Sequence, residues 1–130
     1  MTPAQQFKSV GLRDRHGVEP AAIWRARQFI HEHSDEELSL TKVANSVHIS
    51  PNYLSERFKE VTGVNFVDYI ARLRTENARE LLQNPNLRIS EIAFAVGFQS
   101  LSQFNRVFKK LASKSPTEYR AALGKRRLYR

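Results

Sequence analysis

The chain has 130 residues, enough for one compact unit or two very small lobes with modest cores. It holds no cysteine, which excludes disulfides and thiolate metal sites, and no stretch resembles a secretory leader or a membrane span, so a cytoplasmic location is expected. Its net charge of +8 sits entirely in residues 84–130, where 10 Lys/Arg meet only Glu91 and Glu118; that asymmetry suits a polyanion partner.

Residues 1–19 have no clear period and read as a linker or leader. A first subdomain is expected over 20–64. Pro20 stands where an N1 proline belongs, and Ala22, Ile23, Ala26, Phe29, Ile30 and His33 form a helical stripe. Trp24 lies beside that stripe and is assigned to the core. Ser34-Asp35-Glu36-Glu37 is an acidic break, after which Leu38, Leu40, Val43, Ala44, Val47 and Ile49 begin a new apolar pattern. Ser50-Pro51 supplies an N-cap serine and an N1 proline for a helix from Asn52 to Thr62, closed by Gly63.

A connecting helix is expected over 65–83. Asn65 with Asp68 can cap it, and Phe66, Tyr69, Ile70, Leu73, Ala78, Leu81 and Leu82 are its apolar residues. Asn84-Pro85-Asn86 marks its end. Arg72, Arg74 and Arg79 are interspersed there with Glu76 and Glu80, and read as a solvated face. Such a rod is about 27 Å long, against about 34 Å between successive major-groove faces of B-DNA.

The second subdomain, 84–123, carries the sharpest pattern. Ile89, Ile92, Ala93 and Val96 run into Gly97, whose missing Cβ permits the left-handed backbone of a tight helix-to-helix turn. Ser100 with Gln103 forms a capping box, and Phe104, Val107, Phe108 and Leu111 follow at i, i+3, i+4, i+7. The opposite face holds Ser102, Gln103, Asn105, Arg106, Lys109 and Lys110. Two helices at a sharp angle, the second with a hydrogen-bonding, cationic outer face, are how a helix-turn-helix DNA reader is written. Ser115-Pro116-Thr117-Glu118 then caps a last helix over about 116–123, ended by Gly124. Residues 124–130 form a basic tail with Lys125, Arg126, Arg127 and Arg130, either a solubilising end or a phosphate-gripping arm.

The two subdomains repeat one another. Leu38 to Ile49 match Leu87 to Phe98 at an offset of 49, with His48 in place of Gly97. After one extra residue, Leu54, Phe58, Lys59, Val61, Tyr69 and Leu73 match Phe104, Phe108, Lys109, Leu111, Tyr119 and Leu123 at an offset of 50. Four of the five prolines and three of the five glycines mark helix ends, and no segment alternates like a strand. The expected fold is all-α: two helix-turn-helix subdomains joined by a long helix.

Other chemistries find no support. Phe58, Phe98, Phe104, Phe108 and Tyr119 recur at helical spacing and read as core, not as a base-stacking platform. His31 and His33 do not share a helix face, and His16 and His48 are remote, so no metal is expected. The serines lie at caps without a His/Asp arrangement, and no glycine-rich phosphate loop exists, so neither an enzyme nor a cofactor is expected. The alternative is a helical protein-interaction module with non-specific basic nucleic-acid affinity. The polar Ser102–Lys110 face, lacking apolar anchors, argues against it. RNA ranks third, because the A-form major groove is too narrow for a helix.

Residues 20–123 resemble the DNA-binding domain of the AraC/XylS family of bacterial transcription regulators. The resemblance rests on Ile89-Ser-Glu-Ile-Ala-Phe-Ala-Val-Gly-Phe, Ser102-Gln-Phe-Asn-Arg-Val-Phe-Lys-Lys and Ser115-Pro-Thr-Glu-Tyr-Arg, with Leu54-Ser-Glu-Arg-Phe-Lys-Glu-Val-Thr-Gly in the first copy. It implies seven helices, two recognition helices in adjacent major grooves, and promoter binding that usually activates transcription. It further implies double-stranded DNA as the partner, with RNA polymerase as a candidate second partner; the length of the connecting rod against the groove spacing adds a monomer reading an asymmetric site with two elements one turn apart. Many members carry an N-terminal effector or dimerisation domain; residues 1–19 are too short to be one. By position, the base-facing residues should be Asn52, Ser55 and Glu56 on the first reading helix, and Ser102, Gln103, Asn105 and Arg106 on the second. Glu56 departs from the cation expected in many relatives and can pair with Arg57 or Lys59 instead. Phosphate anchors should be Lys42, Arg57, Lys59, Arg88, Lys109 and Lys110, with the helix N-terminus at Ser90.

Overall fold

The computed structural model describes residues 15–128, with side chains described from 21 to 125. The expectations for residues 1–14 and for the side chains of Pro20, Arg126, Arg127 and Arg130 lie outside the described residues. Among the described residues seven helices follow in order: α1 (Arg15–Glu32), α2 (Leu40–Ser46), α3 (Pro51–Thr62), α4 (Phe66–Leu81), α5 (Ile89–Ala95), α6 (Leu101–Ala112) and α7 (Pro116–Leu128). The described residues contain no strand, so the fold is all-α as expected.

The chain divides into two compact units. Unit 1 holds α1, α2, α3 and the start of α4 as far as Tyr69; unit 2 holds Ser34–Glu37 and everything from Ile70 onward. In unit 1 the buried residues are Ala22, Ile23, Ala26 and Ile30 of α1, Val43, Ala44 and Val47, Leu54 and Phe58 of α3, and Phe66. Phe58 meets Phe66 and Tyr69 edge-on, with centroids 6.0 and 5.0 Å apart. In unit 2 Ala78 and Leu82 pack with Ile92, Ala93, Val96, Phe98, Phe104 and Phe108. The connecting helix therefore supplies core residues as well as a link. It ends at Leu81, two residues short of expectation, as Asn84 Oδ1 accepts the Asn86 N–H at 2.9 Å and turns the chain.

Helix starts follow the caps in the sequence. Ser39, Ser50 and Ser100 each take extended backbone and accept from the N–H three residues on, at 3.0, 3.1 and 3.0 Å. Asn65 Oδ1 does the same for the Asp68 N–H at 2.8 Å. Helix ends are less legible. α3 closes on Gly63 at φ +86° and α6 on Ser113 at φ +68°, fifty positions later. The inter-helix turns likewise use a non-glycine and a glycine: His48 at φ +62° and Gly97 at φ +112°. His48 thus holds a side chain on left-handed backbone, at a cost of about 1 kcal/mol.

Four expectations are corrected. α1 begins at Arg15, so Pro20 is its sixth residue and not its first; a proline near a helix start removes a single hydrogen bond, and the turns that follow it bury Ala22, Ile23, Ala26 and Ile30. α7 runs through Gly124 to Leu128, because an exposed glycine lowers helix stability by only about 1 kcal/mol and does not terminate it. Trp24 is 55% exposed, since Ile23 and Ala26 already face the core and the next position turns away from it. Arg74 is no solvated-face arginine: its Nε donates to the Ser34 carbonyl at 2.9 Å and its Nη2 to the Glu36 carbonyl at 2.7 Å. Burial lowers the Arg74 pKa from its usual value, while the Asp35 carboxylate opposes that shift.

Candidate nucleic-acid interface

The two reading helices present equivalent faces. On α6, burial of Phe104 and Phe108 turns Ser102, Asn105, Arg106 and Lys109 outward, all exposed and spaced i, i+3, i+4, i+7. On α3, burial of Leu54 and Phe58 does the same for Asn52, Ser55, Glu56 and Lys59. Each of these stands fifty positions before its counterpart, so Asn52 corresponds to Ser102, Ser55 to Asn105, Glu56 to Arg106 and Lys59 to Lys109. Lys110 is exposed beside Lys109 in the last turn of α6. The charge contrast between the two faces is therefore concentrated in one pair, Glu56 against Arg106.

Local hydrogen bonds sort the remaining candidates. Gln103 is half-buried, and its Oε1 accepts the Gln99 N–H at 3.0 Å. The capping box is thus offset by one residue, reaching Gln99 where Ser100 was expected. A bidentate grip on adenine needs both the oxygen and the nitrogen of the amide. Gln103 cannot form it while its oxygen holds the helix start, whereas Asn105 projects its amide from the exposed face. Ser55 flanks the α3 face and lines an open cleft with Leu38, Leu40, Phe66 and Val67.

Among the cations, Arg57 is half-buried and paired with Glu60, not with Glu56. To meet a phosphate it must leave that pair. Lys42 is exposed in the first turn of α2, its N–H held by Ser39. Arg88 is exposed as the N-cap of α5, and its N–H is taken by Glu91 Oε1 at 2.8 Å. Arginine carries no acceptor, so Glu91 makes this half of a capping box alone. Ser90 is half-buried in the first turn of α5. Leu101, unnoticed in the sequence because it falls three before Phe104 as a core residue would, is exposed at the start of α6.

Paired short helices, each pair ending in a helix with an exposed polar face, cationic on α6 and of mixed charge on α3, define a double helix-turn-helix domain. Residues 43–122 match the model of a helix-turn-helix domain family. The chain is 38% identical over 94 residues to the uncharacterized HTH-type transcriptional regulator YijO of Escherichia coli, an overlap of 72% of this chain and 33% of that protein. In structure it is similar to the C-terminal domain of AraT, a response regulator from Geobacillus stearothermophilus, with a TM-score of 0.75 and 38% identity over 78% of this chain and 84% of that one. It is also similar to the DNA-binding domain of AdpA, a global transcriptional factor solved in complex with a target DNA, with a TM-score of 0.77 and 25% identity over 82% of this chain and 96% of that one. The chain belongs to the AraC/XylS family of transcription regulators and corresponds to its DNA-binding domain. It spans less than half the length of the curated relatives it matches.

Proposed function

We propose that the chain binds double-stranded DNA sequence-specifically, with α3 and α6 as readers in adjacent major grooves of one asymmetric promoter site. The carrying observation is the outward face of α6, on which Ser102, Asn105 and Arg106 stand together exposed, followed by Lys109 and Lys110. Arg106 is the candidate for guanine O6/N7 and Asn105 for adenine N6/N7, with Ser102 able to meet either base type. Gln103 contributes its amide N–H groups only. Asn52, Ser55 and Glu56 read the second element, where the Glu56 carboxylate repels phosphate but can accept from cytosine N4. Lys42, Lys59, Arg88, Lys109, Lys110, the α5 N-terminus at Ser90 and, once released from Glu60, Arg57 hold the backbone. In this reading the chain acts in the cytoplasm as a monomer that activates transcription, with RNA polymerase as a further partner. Bending of the duplex makes up any mismatch in groove spacing at a cost of a few kcal/mol.

Selection from a random duplex pool, with the winner titrated at several salt concentrations, tests the proposal. The expected result is two elements about one turn apart and a specificity ratio above roughly a thousandfold. Arg106→Ala should then cost about 1–3 kcal/mol on the selected site and much less on random DNA. Binding with a steep salt slope but no enrichment, or equal losses on both DNAs, would refute it.

A further inference from the structure

One side chain on the α6 face has no hydrogen-bonding role. Leu101 opens the helix directly after Ser100 and is 38% exposed. The core does not bury it: Phe104 and Phe108 are the buried residues of α6, while Leu101 keeps more than a third of its surface exposed. The helix start does not require it either, because Ser100 and Gln103 make both capping bonds. Single exposed leucines are ordinary on protein surfaces. This one differs in its place. Of the exposed large apolar residues described, Trp24, Val61, Val67, Phe94 and Leu101, it alone stands in the first turn of a reading helix.

Residues at the N-terminal end of a recognition helix are those that reach base edges. The thymine C5 methyl is the one apolar group the bases display in the major groove; everything else there is a donor or an acceptor. We propose that Leu101 selects a thymine by packing on that methyl, beside the adenine edge read by Asn105. This deepens the proposed function and rests on α6 being a DNA reader. Leu101 and Asn105 are four apart on the helix, which places their Cβ atoms about 5–6 Å apart. Base pairs stack at about 3.4 Å, so the thymine lies one or two pairs from that adenine. In unit 1 the corresponding position holds the short, half-buried Pro51, so the selection falls on the element read by α6.

The test uses the whole chain and the duplex recovered by selection. Each thymine of the α6 element is replaced in turn by deoxyuridine, which keeps every groove donor and acceptor and lacks only the methyl. Kd is measured for wild type, Leu101→Ala, Leu101→Met and Asn105→Ala. At one position deoxyuridine should weaken wild type about fourfold, the worth of one buried methyl, and leave Leu101→Ala unchanged. Leu101→Met keeps an apolar reach and should retain part of the penalty, which separates lost contact from a folding defect. The sensitive position should fall one or two pairs from the adenine to which Asn105→Ala is indifferent. Equal deoxyuridine losses in wild type and Leu101→Ala at every position, or no loss anywhere, would overturn the role of Leu101 and leave DNA reading by α6 intact. Failure to select any site would overturn both.

Discussion

At Gly97 the backbone takes φ of +112°, and a Cβ placed there would lie 2.4 Å from the Ser34 carbonyl oxygen and 2.6 Å from Arg74 Nε. The glycine is required twice, by conformation and by the close approach of the segment that Arg74 holds. Gly97→Ala should therefore destabilise the protein by about 2–4 kcal/mol, read as a lowered melting temperature; an unchanged melt would refute the account. His48, at the equivalent place in unit 1, tolerates a side chain because φ of +62° falls inside the left-handed well open to L-residues. Thr75 makes the opposite point. It is buried, and its Oγ1 has no hydrogen-bond partner among the described residues. Thr75→Val keeps the shape and removes the unsatisfied hydroxyl, so it should raise stability by about 1 kcal/mol in a denaturant titration; a loss would mean that the hydroxyl has a partner.

At the scale of elements, caps were readable and ends were not. The Ser115–Glu118 box forms as its spacing predicts: Glu118 Oε1 accepts the Ser115 N–H at 2.9 Å and Ser115 Oγ accepts the Glu118 N–H at 3.1 Å. The bond from the Ser115 N–H holds the Glu118 carboxyl below its usual 4.5, helped by the charges of Lys109 and Lys114. A carboxyl depressed in the folded state stabilises above its unfolded value and loses that contribution as pH falls through the folded one. Between about pH 5 and pH 3 the melting temperature of Glu118→Gln should thus fall less steeply than that of wild type; parallel curves would contradict it. Caps are legible because donor, acceptor and backbone are neighbours in sequence. The continuation of α7 past Gly124 and of α1 upstream of Pro20 was not, since one unfavourable residue does not outweigh the turns around it.

Over the whole molecule the repeat extends further than the apolar pattern alone reveals. At an offset of 52, Ile23, Ala26 and Ile30 of α1 correspond to Thr75 and Ala78 of α4 and to Leu82 just past its end, all buried. Arg27 lies over the Tyr69 ring at 5.8 Å, and Arg79 over the Tyr119 ring at 5.7 Å, so the same arginine–tyrosine contact braces both units. Helix α4 consequently serves unit 1 with its first turn and unit 2 with the remainder. An apolar period identifies which face of a helix is buried, but a short Ala- and Thr-containing stripe has too weak a period to announce kinship between α1 and α4. By itself the sequence determined the all-α class, the two helix-turn-helix pairs, the caps and the polar faces of α3 and α6, because each depends on residues within a turn or two of one another. Only the tertiary structure decided that Trp24 is exposed, that Arg74 is spent on the Ser34 and Glu36 carbonyls, and that Leu101 is left on the surface. Those outcomes depend on which distant segment fills the space beside a side chain, and spacing along the chain carries no record of that.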